Sequence, residues 1–218
     1  MPKILSLRSE SGSTVASQVV ATAWGMALLQ SLPQLPQWAL LVWGSMQAPS
    51  HPSSLLSQLP ASLPPLPRVG FQLQLPGALD TVRWHGRGPN ESYADRKTGA
   101  RLGVHEARVA DLHFPHVMAQ ENGNRTDVRW VTLTDASGRG LRFSGEPFLD
   151  FTAHDYTDAA LLAAKESQVV ERDGRVTLSL DLAQMGLGGD DSWSPRVHQE
   201  YQLTAPEYRF AFRLRPAR

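Results

Sequence analysis

The chain has 218 residues, with 21 basic and 21 acidic side chains and no cysteine. This length can bury the core of one large or two small domains. Because the charges cancel, nothing in the composition indicates binding to nucleic acid or to an anionic membrane. The lack of cysteine excludes disulfides and thiolate metal sites and fits a reducing compartment, so we expect a cytoplasmic protein.

The composition changes abruptly near Pro67. Residues 1–67 hold nine of the sixteen prolines and no Asp, Asn, Phe or Tyr, and their only charged side chains are Lys3, Arg8 and Glu10. All of these residue types occur regularly from Arg68 onward. We therefore predict a low-complexity, disordered leader over residues 1–67 and a folded domain over residues 68–218.

The leader contains two apolar runs, a candidate helix over Val15–Gln30 and the stretch Gln37–Gly44. Two prolines between them, Pro33 and Pro36, interrupt any membrane span, which needs about 20 apolar residues. The stretch Ala48–Pro67 is typical of an extended linker. Three origins stay open for the leader: a native segment, a targeting segment, or the product of a shifted reading frame.

From residue 69 the sequence predicts short strands separated by turns. Apolar and polar residues alternate over Val69–Leu75 up to Pro76-Gly77, and Thr81–His85 is predicted to pair with this strand. A hairpin is predicted where Val128–Thr134 and Gly140–Ser144 flank the turn sequence DASGR.

The rest of the domain continues in the same way. One helix is predicted over Asp158–Ser167, with Thr157 as its N-cap. The strands predicted after it are Val169–Glu171, Arg175–Leu182, Gln199–Leu203 and Tyr208–Leu214. Many short strands with turns between them predict a mainly β, antiparallel sandwich.

A loop near the C-terminus, MGLGGDDSWSP at residues 185–195, has the composition of a binding segment. Its three glycines and one proline disfavour both helix and strand, so it must be a shaped loop. The loop holds Trp193 close to the carboxylates of Asp190 and Asp191. An aromatic ring beside polar groups suits the patterned face of a sugar.

Four blocks of the sequence resemble one known family. They are WHGRGPNESYADRK at 84–97, QENGNRTDVRW at 120–130, FTAHDY at 151–156 and the glycine–tryptophan loop at 185–195. In this order and spacing, residues from about Leu66 to Pro216 resemble the C-terminal region (the small chain, or domain 5) of bacterial β-galactosidases of glycoside hydrolase family 2.

The resemblance implies a galactose-mutarotase-like supersandwich, which is incomplete here because residues 1–67 do not show the family pattern. In such enzymes a separate (β/α)₈ barrel supplies both carboxylates of the retaining mechanism and the magnesium and sodium sites. We therefore expect no catalytic residue, metal or other cofactor in this chain. The implied partners are β-D-galactosides and either a β-galactosidase large chain or further copies of this chain, with no nucleic acid and no membrane.

Trp193 matches the family tryptophan that forms an apolar platform for the sugar, and it is our one candidate substrate-binding residue. Asp190 and Asp191 are interpreted as loop-shaping residues, because adjacent carboxylates normally diverge. The pair Asn90-Glu91 imitates an acid/base motif of the barrel. It lies in a small-chain block, however, so that role is not assigned to it.

Nine polar residues of the first two blocks have two open interpretations. They either form a network that locks the sandwich or contact the barrel or another subunit. These residues are Arg87, Glu91, Tyr93, Asp95, Arg96, Glu121, Asn122, Arg125 and Asp127. His113 and His116 have metal-like spacing, but Phe114-Pro115 between them favours an extended segment, and no metal site is predicted.

The leading functional hypothesis is an accessory domain of a β-galactosidase, the enzyme that hydrolyses terminal β-D-galactosides such as lactose. The chain would be a small subunit or a truncated remnant that adds an aromatic wall to the sugar site. The alternatives are a free-standing carbohydrate-binding or mutarotase-like module, or a non-functional truncated gene product. A mutarotase would need a histidine acid and a glutamate base in one cleft, and the sequence assigns no such pair.

Overall fold

The computed structural model describes residues 66–166, 169–188, 197–204 and 207–217, and the backbone of four strands nearer the N-terminus. Those four are β1 (Lys3–Ile4), β2 (Arg8–Ser9), β3 (Val20–Ala21) and β4 (Leu40–Gln47). The later strands are β5 (Arg68–Pro76), β6 (Thr81–Gly88), β7 (Arg101–Arg108), β8 (Arg125–Thr134), β9 (Gly140–His154), β10 (Arg175–Gln184) and β11 (Glu207–Ala217). Helix α1 spans Asp158–Ala163, and short 3₁₀ turns lie at Val109–Leu112 and Gln199–Tyr201. The predicted mainly β, antiparallel fold is confirmed.

The strands assemble in the order β2-β4-β11-β9-β8-β6-β7, and every pairing is antiparallel. The long strand β9 is the branch point of this sheet. Its first part, from Gly140 to Gly145, pairs with β11, and its last part, from Asp150 to His154, pairs with β10. Strand β5 lies beyond β10, so two ladders share one edge of β9.

The inward side chains of both ladders meet in one hydrophobic core. Trp84 on β6 is fully buried and packs edge-on against Phe151 on β9, with ring centroids 5.7 Å apart. Phe212 on β11 and Leu178 on β10 belong to the same cluster. Each such side chain contributes roughly 1.5–3 kcal/mol by leaving water, and this shared core is what a β-sandwich requires.

The predicted pairing of Thr81–His85 with Val69–Leu75 is wrong. Strand β5 pairs with β10, while β6 lies between β7 and β8. Polar contacts across β5 and β10 support the observed register. Gln74 Nε2 donates to Thr177 Oγ1 at 2.8 Å, and Arg68 pairs with Asp181 at 2.5 Å.

Three other expectations about secondary structure need correction. Gln199–Leu203 is not a strand, because its first three residues form a 3₁₀ turn and Leu203 makes only an isolated bridge to Leu66. Val169–Glu171 is not a strand either. Helix α1 ends at Ala163, short of the predicted bound, although the predicted cap is confirmed since Thr157 Oγ1 accepts from Ala160 N at 3.1 Å.

Helix α1 has only 6 residues. No helix within the described ranges is long and apolar enough to cross a membrane.

Candidate functional site

The three residues predicted in the sugar loop, Asp190, Asp191 and Trp193, lie outside the described residues. The structure does describe where the chain enters this loop and where it leaves it. The entering flank is held by hydrogen bonds from distant parts of the chain, and the leaving flank by a turn that directly follows it.

The entering flank is fixed by three backbone donors. Gly188 N donates to Asp95 Oδ2 at 2.7 Å, Gly186 N to the carbonyl of Tyr201 at 2.9 Å, and Met185 N to the carbonyl of Pro67 at 3.0 Å. Asp95 belongs to the first motif, 93 residues earlier in the chain. The first motif is therefore joined directly to the entering flank of the glycine–tryptophan loop.

Glycine is required at position 186 by close packing. A Cβ there would lie 2.5 Å from Asp95 Oδ2 and 3.0 Å from the Cβ of Tyr201. The second carboxylate oxygen of Asp95, Oδ1, is buried and has no hydrogen-bond partner among the described residues. The side chain of Asp95 thus faces the flank of the loop rather than solvent.

The leaving flank begins with Val197, which is 8% exposed. Its carbonyl accepts from Gln202 Nε2 at 2.8 Å, and Tyr201 N donates to His198 O at 3.0 Å. The 3₁₀ turn at Gln199–Tyr201 therefore connects both flanks, since the Tyr201 carbonyl also accepts from Gly186. This explains why the segment does not continue as a strand.

Glu91 links the first two motifs. Its carboxylate pairs with Arg96 and accepts from Gly123 N at 2.8 Å, and Tyr93 Oη lies 3.5 Å from it. The guanidinium of Arg96 also lies over the ring of Tyr93. Burial raises the pKa of Tyr93 well above its ordinary value, so this phenol stays protonated. The arrangement is that of a structural junction.

Arg87 and Asp127 form a second link between the same motifs. Arg87 Nε donates to Asp127 Oδ2 at 2.5 Å, and Lys97 Nζ lies 3.2 Å from Asp127 Oδ1. Burial alone would raise the pKa of Asp127, but the hydrogen bonds from Arg87 and Lys97 hold it below its usual range. Asp127 also has a positive φ of 56°, a conformation that Asp tolerates better than most residues.

Glu121 lies apart from these links, beside the ion pair of Arg68 and Asp181. Arg68 Nη1 is 3.7 Å from Glu121 Oε2, and the Glu121 side chain is 35% exposed. Burial raises the pKa of Glu121 to about 7, although the charge of Arg68 opposes this. Glu121 and Asp127 therefore contact different cations, despite their proximity in the second motif.

Asn122 is 1% exposed and joins the second motif to the third. Its Oδ1 accepts from Phe114 N at 3.0 Å, its Nδ2 donates to Tyr156 Oη at 3.1 Å, and its carbonyl is 3.0 Å from His154 Nε2. Desolvation lowers the pKa of His154 to about 3, so this ring is neutral. His113 Nδ1 is hydrogen-bonded to Tyr156 Oη at 2.8 Å.

His116 lies 3.6 Å from Glu91, and its ring packs against Phe114. Among the residues that the structure describes, no three His, Asp or Glu side chains are grouped as a metal site requires.

Arg125 is 4% exposed and makes no ion pair with a carboxylate among the described residues. Its Nε donates to Pro89 O at 3.1 Å, its Nη1 donates to Gly123 O at 2.6 Å, and its guanidinium lies over Trp84 at 5.4 Å from the ring centroid. Burial lowers the pKa of Arg125 to about 10, although the charge of Glu91 acts in the opposite direction.

Several polar residues of these networks were missed from the sequence. They are Arg68, Lys97, His154, Tyr156 and Asp181. The third block contains two of them, and its match to the family pattern was the available signal. Arg68 and Asp181 lie on paired strands 113 residues apart, so no local pattern indicates their contact.

A family model described as "Beta galactosidase small chain" matches residues 42–214. This chain belongs to the β-galactosidase small-chain family. The matched range of this small-chain protein begins inside the compositionally distinct segment 1–67. Segment 1–67 as a separate leader stays a prediction.

Curated relatives agree with this assignment. The small-chain protein is 39% identical over 156 residues to a β-galactosidase of Priestia megaterium, which covers 71% of this chain and 15% of the relative. It is 37% identical over 186 residues to a β-galactosidase of Vibrio cholerae, covering 85% of this chain and 17% of the relative. It is 39% identical over 149 residues to β-galactosidase BgaC of Bifidobacterium adolescentis, covering 66% of this chain and 14% of the relative. The small-chain protein thus spans about 15% of the length of the first of these relatives.

Proposed function

We propose that this chain acts as an accessory domain of a β-galactosidase and completes the galactoside site with the ring of Trp193. The main support is the double anchoring of the glycine–tryptophan loop. Asp95 and Tyr201 hold its entering flank, and Gln202 holds its leaving flank. A loop fixed at both ends can present a side chain with little loss of conformational entropy on binding.

The catalytic carboxylates would come from the remainder of the enzyme. A retaining glycosidase needs two carboxylates about 5–5.5 Å apart that flank the scissile bond. The acidic residues of the first two motifs have structural partners instead. Glu91 binds Arg96 and Gly123 N, Asp127 binds Arg87, and Asp95 binds Gly188 N.

In this proposal the chain works with a glycoside hydrolase family 2 large chain on terminal β-D-galactosides such as lactose, in the cytoplasm. The similarity to proteins named β-galactosidase supports it. The cofactors of the reaction would belong to the large chain. Trp193 would contribute about 0.5–1.5 kcal/mol of aromatic contact, enough to change affinity for the sugar but not to carry out hydrolysis.

The test uses the full chain mixed with the Priestia megaterium β-galactosidase from which the matching region has been deleted. In the active mixture, Trp193→Ala should raise KM for a chromogenic galactoside about three- to tenfold, the loss expected for one aromatic contact. Trp193→Phe should restore most of the affinity, and Trp130→Phe is the matched control. An unchanged KM in Trp193→Ala would contradict the proposed wall.

A further inference from the structure

Arg125 is a buried cation that makes no direct ion pair among the described residues, although the charge of Glu91 acts on it. Its hydrogen bonds use Nε and Nη1 and go to the backbone carbonyls of Pro89, Gly123 and Asn124. Its Nη2 has no hydrogen-bond partner among the described residues. Arg68 is a contrasting case in the same domain, since it pairs with Asp181 at 2.5 Å. A buried charge is normally hydrogen-bonded to such a partner, so Arg125 differs from Arg68 in keeping one guanidinium nitrogen available for a ligand.

The guanidinium of Arg125 lines a cavity of about 210 Å³. Trp84 and Leu112, which are nearly inaccessible, also line it, together with the exposed residues Asn90, Asp111 and Phe114. Pockets for drug-sized ligands measure roughly 300–1,000 Å³. This smaller cavity therefore suits a ligand of about one ring.

The charges around the cavity select the class of ligand. Arg125 and Asp111 line it as one cation and one anion, and Glu91, which also lines it, is already paired with Arg96. Neither a small anion nor a small cation therefore meets an excess of opposite charge there. A hydroxyl group can donate to a carboxylate and accept from a guanidinium at the same time. Neutral polyols therefore match the walls better than either kind of ion.

The apolar surface of the cavity fits the same class. Phe114 is 45% exposed at the rim, and Pro89, Ala107 and Leu112 add further carbon surface. The faces of a sugar ring present C–H groups, while its edges present hydroxyls. A wall of mixed carbon and polar atoms is complementary to both.

We propose that the cavity beside Arg125 is a binding site for one neutral sugar ring, distinct from the Trp193 loop. Arg125 Nη2 donates to a ring hydroxyl, and Asp111 accepts from another. The site goes beyond the proposed accessory role and does not depend on it, since it uses only described residues of the first and second motifs and of the segment 107–114.

The experiment is calorimetric titration of the full chain with methyl β-D-galactopyranoside, D-glucose and sodium acetate. The wild-type chain should bind at least one sugar saturably and should not bind acetate. Arg125→Lys keeps the charge but loses the planar fork and should weaken sugar binding at least about tenfold. Because Arg125 is buried, Asp111→Ala at the exposed rim serves as a second variant and should also weaken binding.

Two controls locate the site. Glu106→Ala removes an exposed carboxylate outside the cavity and should leave binding unchanged. Trp193→Ala should leave it unchanged as well, and the sugar should shift the NMR signals of the Trp84 indole and the Arg125 guanidinium. Failure of the folded chain to bind either sugar, loss of binding in Trp193→Ala, or binding of acetate in place of sugar would each overturn the proposal.

Discussion

Asp95 offers the most direct way to perturb the glycine–tryptophan loop from a described residue. Asp95→Ala removes the acceptor of Gly188 N, which lies 2.7 Å from Oδ2. A hydrogen bond to a charged group contributes about 1.5–3 kcal/mol. We expect the free energy of unfolding to fall by about this amount. Asp95→Asn retains an acceptor oxygen and should lose about half as much.

The loss should also be visible locally. Amide hydrogen exchange at Gly186 and Gly188 should accelerate in Asp95→Ala, while amides in the core strand β8 should change only as much as global stability changes. Urea unfolding of the full chain gives the global value. The matched control is Asp80→Ala, which removes a partly exposed ion pair to Arg108 and should cost no more than about 1 kcal/mol.

Equal stability of the Asp95→Ala and wild-type chains, with unchanged exchange at Gly188, would refute this reasoning. The hydrogen bond would then make no net contribution, and the entering flank would have to be held by the carbonyls of Pro67 and Tyr201 alone.

Three further predictions concern pH and packing. Desolvation lowers the pKa of His154 in the folded chain to about 3, whereas in the unfolded chain it is about 6.5. The wild-type chain should therefore lose stability as pH falls below about 6.5. Urea unfolding at pH 7 and pH 5 should show a smaller loss in His154→Phe. Burial raises the pKa of Asp150 to about 8, so the free energy of unfolding of the wild-type chain should fall as pH rises from about 4 toward 8. Asp150→Asn should therefore be more stable than wild type at pH 8 and equally stable at pH 3.5. Gly123 has a φ of +77°, and a Cβ there would lie 2.7 Å from His154 Cε1 and 2.8 Å from Leu112 O. Gly123→Ala should therefore lower the free energy of unfolding by more than about 1 kcal/mol in thermal unfolding. Gly99→Ala, where a Cβ would meet nothing within 4 Å, should not.

The strands with strong period-two alternation could be predicted from the sequence, and β5, β8 and β10 lie within two or three residues of the expected bounds. Strand β7 (Arg101–Arg108) was missed because five of its residues are exposed and it contributes little to the core. Its half-buried face carries Gly103, His105 and Ala107, which do not form an apolar pattern. Strand β9 continues past Pro147 to His154, where a proline normally indicates the end of a strand.

The motif residues were found as groups, but their partners were not. Glu91 is five residues from Arg96, a contact within reach of sequence reasoning, yet its second partner is a backbone N–H at Gly123. Asp95 was predicted as a motif residue, while its contact with Gly188 depends on how distant strands bring two loops together. Such contacts arise from topology, which local pattern does not specify.

We propose that this chain completes a β-galactosidase site without carrying its catalytic carboxylates. The most direct measurement is turnover of a chromogenic β-D-galactoside by the purified full chain, alone and after mixing with a β-galactosidase that lacks the matching region. We expect no turnover by the chain alone, none by the deleted enzyme alone, and activity when the two are combined. Turnover by the isolated chain, at a rate that scales with its concentration, would contradict it.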